Sequence, residues 1–153
     1  MIDMDAVLNG TDWAELSHAY GSAEDVPDRL RALLSEDEGR IAEAWHELGN
    51  LLTHQDSVYP ATAPAALFVA AILSDPQTAI WVQGRPLRAE LIDWLETVAA
   101  APIEYGDVFD GPGLAECGAI IGQLREAVAA HIEDRDESVR ESAETFLETT
   151  DLD

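Results

Sequence analysis

Tyr20–Asp37 reads YGSAEDVPDRLRALLSED, and Tyr59–Pro76 reads YPATAPAALFVAAILSDP. Laid over each other without a gap, at an offset of 39 residues, they put Tyr20 on Tyr59, Ser22 on Ala61, Leu33 on Ile72, Leu34 on Leu73 and Ser35 on Ser74. Each copy is a tyrosine turn, then a helical apolar stretch, then a turn of serine and an acid. A fixed period of this kind marks an architecture made by stacking one supersecondary unit.

The matches continue beyond the two turns. RAELIDWL from Arg88 lies over RESAETFL from Arg140, pairing Arg88 with Arg140, Trp94 with Phe146 and Leu95 with Leu147. RIAEAWHEL from Arg40 fits the same frame with a shift of one residue. The turns LSEDEGR, LSDPQ and IEDRDESVR resemble one another. The unit is therefore a helix pair of about forty residues. Three pairs, at about 22–53, 61–100 and 114–149, stack into one all-α domain over residues 1–153, since no pair buries its apolar face alone.

Local signals place the helices. Residues 1–10 read as a loose lead-in. TDWAELSHAYG reads as a short N-terminal helix, with Thr11 or Asp12 as cap, Trp13, Leu16 and Tyr20 on one face, and Gly21 at the stop. Asp25 is the expected cap of the next helix, with Pro27 in its first turn and Val26, Leu30, Leu33 and Leu34 as its stripe. EDEGRIAEAWHELGNLL buries Ile41, Ala44, Trp45, Leu48 and Leu52. ATAPAALFVAAILS is apolar nearly all round and should be central. DPQTAIWVQGRP reads as a longer loop, its AIWV being the one strand candidate in the chain. LRAELIDWLETVAA is helical, APIEYGDVFDGPG irregular, and LAECGAIIGQLREAVAAHI and DESVRESAETFLETT are two closing helices.

On HAYGSAEDVPDRLRALLSEDEGR, HQDSVYPATAPA and DESVRESAETFL, which together span most of residues 13–149, the chain resembles small bacterial HEAT-repeat (HEAT/armadillo-like) domain proteins. The resemblance implies a short α–α superhelix, or solenoid, that binds other macromolecules, usually proteins, without catalysis. Some relatives accompany bacterial toxins as immunity proteins. Asp75–Pro86 and Ala101–Gly113 interrupt the period as insertions.

Charge narrows the partner. Asp and Glu number 31 against eight basic residues, all arginine, for a formal net charge of −23. Nucleic-acid phosphates and anionic membranes are bound by neutralising them with Lys and Arg, so direct contact with either is not expected. A basic protein is the expected partner, with solubility or a salty surrounding as the alternative use of the acidity. A HEAT-fold enzyme working on nucleic acid needs a basic face, which 31 acids oppose. A general assembly scaffold is the other alternative. The single Cys117 precludes an intramolecular disulfide. MIDMDAVLNG has neither the basic nor the apolar segment of a signal peptide, and the longest apolar run, Ala63–Leu73, is too short to span a bilayer. A cytoplasmic monomer or weak homodimer is expected.

Two candidate surfaces follow. Turns joining successive pairs fall on one edge of a stack, so SHAYGS, HQDSVYP and APIEYGDVFDGPG should form a rim carrying His18, Tyr20, His54, Asp56, Tyr59, Tyr105, Asp107, Phe109 and Asp110. Aromatics anchor interfaces while acids select the partner's charge; the alternative is that Tyr105 and Phe109 tuck back over the core. The last helix presents Glu137, Glu141, Glu144 and Glu148 within about 60° of one another. Such a row could imitate phosphates before a basic groove, or be an ordinary solvated face. Trp81 reads as a plug between pairs more than as an anchor. His18 with His54, Gln55 and Asp56 could suggest a metal, but no H-E-x-x-H or EF-hand pattern is present, so no metal, cofactor or catalytic residue is expected.

Overall fold

The computed structural model describes residues 2–106, 111 and 113–151, and of Asp56 only the main chain. Among the described residues there are eight α-helices, four short 3-10 turns and two minimal β-hairpins, so the chain is all-α in class. The helices are α1 (Met4–Gly10), α2 (Val26–Ala32), α3 (Glu38–Leu52), α4 (Thr62–Ile72), α5 (Leu87–Tyr105), α6 (Leu114–Ala119), α7 (Ile121–Ala129) and α8 (Glu137–Thr149).

α4 is the hub. Thr62, Ala63, Ala65, Ala66, Phe68, Val69, Ala70 and Ile72 are all buried, as an all-round apolar helix requires. It touches α1, α2, α5, α6 and α7. Sequential helices pair as α2 with α3, α4 with α5 and α7 with α8, and α5 in turn packs against α8. Alanines on α4 and α5 let the helices approach, while Phe68, Phe146 and the leucines fill the space between them.

Aspartates start the polar-faced helices. The carboxylate of Asp37 accepts from the Gly39 and Arg40 amides, and that of Asp136 accepts from Ser138, at the positions where a free N–H most needs an acceptor. Asp25 makes no such cap; Ser22 caps the 3-10 turn Ala23–Asp25 instead, and Pro27 sits in the first turn of α2 as expected.

Four local readings are corrected. Residues 4–10 are helical: Asp3 caps α1, and Leu8 is buried against the core. TDWAELSHAYG is a 3-10 turn, Trp13–Glu15, and then a hairpin of β1 (Ser17–His18) and β2 (Gly21–Ser22). α5 runs on through Pro102 to Tyr105, the Gly106 amide closing the last turn on the Pro102 carbonyl at 3.0 Å. The stretch after Gly113 is broken at Ile120 into α6 and α7.

The loop before α5 also holds a hairpin, β3 (Trp81–Val82) and β4 (Arg85–Pro86). It repeats the first one residue for residue. Leu16, His18 and Ala23 correspond to Ile80, Val82 and Leu87; His18 and Val82 both point inward, and the Ala23 amide donates to Leu16 as Leu87 does to Ile80, at 2.9 and 2.8 Å. Two-residue strands have no alternation to read, which is why this second period escapes a pattern search.

The turns line up along two edges. On one, Gln77 Nε2 donates to the Ser35 carbonyl at 2.7 Å, and Arg88 reaches from the Leu73 and Asp75 carbonyls to Asp134. On the other, the Ala61 amide donates to the Ser17 carbonyl at 3.1 Å, and Gly113 lies against the Tyr59 carbonyl so closely that an added Cβ would come within 2.4 Å of it.

Candidate binding surface

The second edge is where the sequence placed a rim, and the structure brings part of it together. Tyr20, 67% exposed at the hairpin tip, meets His54 edge to face with ring centroids 5.6 Å apart. Tyr59, half-buried, is the next segment along, its amide donating to Thr62 Oγ1. Thr62 Oγ1 passes a hydrogen bond to the Leu52 carbonyl, so this threonine ties the end of α3 to the start of α4 rather than capping the helix. Tyr105 ends α5 at this edge and is 42% exposed.

His18 does not belong to the exposed rim. It is 8% exposed; Nδ1 accepts from the Tyr20 amide within the hairpin turn, and Nε2 faces Asp25 at 3.0 Å, tying the hairpin to the residue just before α2. Asp107, Phe109 and Asp110 lie outside the described residues, as does the side chain of Asp56. Among the described residues, no three His, Cys, Asp or Glu side chains converge as metal ligands would.

Glu137, Glu141, Glu144 and Glu148 are exposed on α8, while Val139, Ser142, Ala143 and Phe146 turn inward. The stripe is thus a free acidic face on the helix that packs against α5, α7 and β4.

Trp81 is 55% exposed and is no plug; Val82, at 3%, takes the inward position of that hairpin. The indole borders a hollow of about 450 Å³ whose other walls include Glu133, Asp136 and Arg135. No family model, no curated protein and no solved structure matches the chain.

Sequence reasoning missed two features. The first is a cleft of about 410 Å³ between α3 and α5, lined by Trp45, His46, Asn50, Glu90, Asp93 and Trp94 among others. Trp45 and Trp94 stand edge to face at 5.7 Å. In the sequence Trp45 was legible only as part of an apolar stripe and Trp94 only as the counterpart of Phe146, since their meeting depends on how the pairs stack.

The second is the series Ser74–His131–Asp134–Arg88. Ser74 Oγ is 3.3 Å from His131 Nε2, His131 Nδ1 is 3.6 Å from Asp134, and Asp134 is 2.8 Å from Arg88. In outline this is a nucleophile, base and orienter. Asp134 makes its short contact with Arg88 and a longer one with the imidazole, so the series also ties the turn at Ser74, the start of α5 and the turn before α8 together. Burial, and then the charge of Arg88, hold His131 below its ordinary pKa against the opposing pull of Asp134. For Asp134 burial acts upward, but the Asp136 amide, Arg88 and His131 outweigh it and keep the carboxyl below its ordinary value. Cys117, buried with its thiol pushed up to about 12 by burial and by Glu116, is inert.

Proposed function

We propose that the chain is a non-catalytic protein-binding module of the HEAT-repeat type, which docks a basic partner protein as an inhibitor or immunity protein would. The observation that carries this reading is the placing of Tyr20, Trp81 and Tyr105, at 67%, 55% and 42% exposure, on a surface with a formal charge of −23. Leaving a large aromatic ring in water forfeits stabilisation that burial would supply, and such rings are the usual anchors of interfaces. The surrounding acids would steer a cationic partner to them and raise its on-rate. Three consecutive helix pairs, with their turns aligned along two edges, are in keeping with a short α–α superhelix. The partner is a protein rather than nucleic acid or an anionic membrane, both of which this charge repels. Among the described residues, no helix is long and apolar enough to cross a membrane.

Affinity purification from native lysate at low and high salt tests the reading. A basic protein should be retained at low salt and released as salt rises. Recovery of neutral or acidic partners only, with retention indifferent to salt, would sink it. Within a retained complex, Trp81→Ala and Tyr20→Ala should each weaken binding by about tenfold or more if they are anchors.

A further inference from the structure

The cleft between α3 and α5 points to a specific contact within that reading, and rests on it. We propose that this cleft is a receptor for an arginine side chain of the basic partner. Trp45 and Trp94 stand in its walls. The indole N–H of Trp94 donates to Thr53 Oγ1 at 3.0 Å, which fixes the ring, and Trp45 stands against it at an interplanar angle of 76°. Glu90 and Asp93, three residues apart on α5, line the same cleft, with His46, Asn50 and Thr97 as polar neighbours. Its volume of about 410 Å³ holds a guanidinium with its aliphatic stem and some water.

The charge around the cleft is not balanced from within. Arg85 lies close by, with Nη1 2.6 Å from Asp93 and 3.6 Å from Glu90, but its Nη2 is drawn off to Ser142 Oγ on α8. Burial opposes the charge on Arg85, yet Asp93, Glu90 and Asp136 together more than offset it. The 3.6 Å separation exceeds a hydrogen bond and leaves Glu90 able to accept from a second guanidinium. Negative charge thus exceeds the single resident cation.

A planar cation suits these walls better than a compact one. Guanidinium stacks on an indole and offers a fork of donors to a carboxylate, whereas the ammonium of lysine is a strongly hydrated point charge.

The test is an NMR titration of the full chain, following the four indole N–H signals, with N-acetyl-arginine amide, N-acetyl-lysine amide and N-acetyl-norleucine amide as probes. The Trp45 signal should shift saturably with the arginine probe and bind the lysine probe about threefold or more weakly. Glu90→Gln should weaken the arginine probe by about threefold or more, with buried Trp13 unshifted as evidence of an intact fold. A Trp45 response that is linear, equal for lysine and norleucine, or indifferent to Glu90→Gln overturns the proposal. If a basic partner is captured and binds the Glu90→Gln and Trp45→Leu variants as tightly as the parent, the arginine cleft falls while the partner reading stands. Saturable arginine binding without any basic partner has the opposite consequence.

Discussion

His131 and Gly113 show how single residues carry more of this structure than their neighbours in sequence suggest. His131 is held below its ordinary 6.5 and is therefore uncharged in the fold at neutral pH. The unfolded chain takes up the proton first, so the stability that His131 contributes is full above pH 6.5 and is lost as pH falls through its lower folded value. Asp134, also depressed, contributes above its ordinary 3.8 and loses that contribution only in stronger acid. Urea midpoints taken from pH 7 down to about pH 5 should fall for the parent chain and fall less for His131→Gln; equal slopes would show that His131 is not the titrating group. Gly113 has φ +87°, and an added Cβ would sit 2.4 Å from the Tyr59 carbonyl oxygen. Gly113→Ala should destabilise by at least about 1–3 kcal/mol, because the rare backbone angle and the clash act together. Gly122→Ala, where a Cβ meets open space within α7, is the control and should be neutral or mildly stabilising in the same thermal melts.

At the scale of elements, the helices with a clear apolar stripe were legible and the short ones were not. α3 and α8 announce themselves through Ile41–Leu48 and Val139–Phe146, where burial recurs at helical spacing, and α4 through Thr62–Ile72, apolar nearly all round. α1 has a single buried residue, Leu8, and packs on α4; locally, the Trp13 indole N–H donates to the Leu8 carbonyl and Thr11 Oγ1 to that of Val7. The stretch from Ala101 reads as irregular, yet α5 runs on through Pro102; Gly118 lies against its ring, and the turn closes beyond it. The hairpin Trp81–Pro86 requires left-handed backbone at Gln83 and Gly84, at φ 54° and 92°, and Gln is not a residue that advertises such a turn. Arg88 is the element-level fastener. It donates to the Leu73 and Asp75 carbonyls and to Thr78 Oγ1, and it pairs with Asp134, both side chains being less than 15% exposed. Arg88→Met keeps the stem and removes the donors, stranding a mostly buried carboxylate. The loss should be about 3–5 kcal/mol, read as a lower denaturant midpoint. A loss under about 1 kcal/mol would show that water replaces the guanidinium at no great cost.

For the molecule as a whole, the offset of 39 residues and the net charge of −23 were both on view in the sequence, and they bear on different things. In the sequence, the repeat is what suggests the pairing of sequential helices, because each apolar stripe needs a neighbour and sequential neighbours are nearest. It did not carry the groove between α3 and α5, nor the outward turn of Trp81, because those depend on how far one pair slides over the next. The charge carried no fold information and much about environment. The surface of this chain repels itself, since six of the eight arginines, Arg29, Arg31, Arg85, Arg88, Arg125 and Arg140, are drawn into ion pairs and carbonyl contacts, leaving the acids of α8 facing water. Mobile counterions screen that repulsion over about 10 Å at 0.1 M salt, and the folded state, which holds the charges closer together, gains more from the screening than the unfolded chain does. Raising sodium chloride from about 20 mM to 500 mM should therefore raise the melting temperature, with most of the gain below about 0.2 M, where the Debye length shrinks fastest. Replacing Glu141 and Glu144 by Gln should raise the low-salt melting temperature and reduce the salt response together, since both substitutions thin the same row on α8. A melting temperature that falls with added salt would mean that the ion pairs of the arginines outweigh the repulsion among the acids, and it would remove the electrostatic basis for a basic partner.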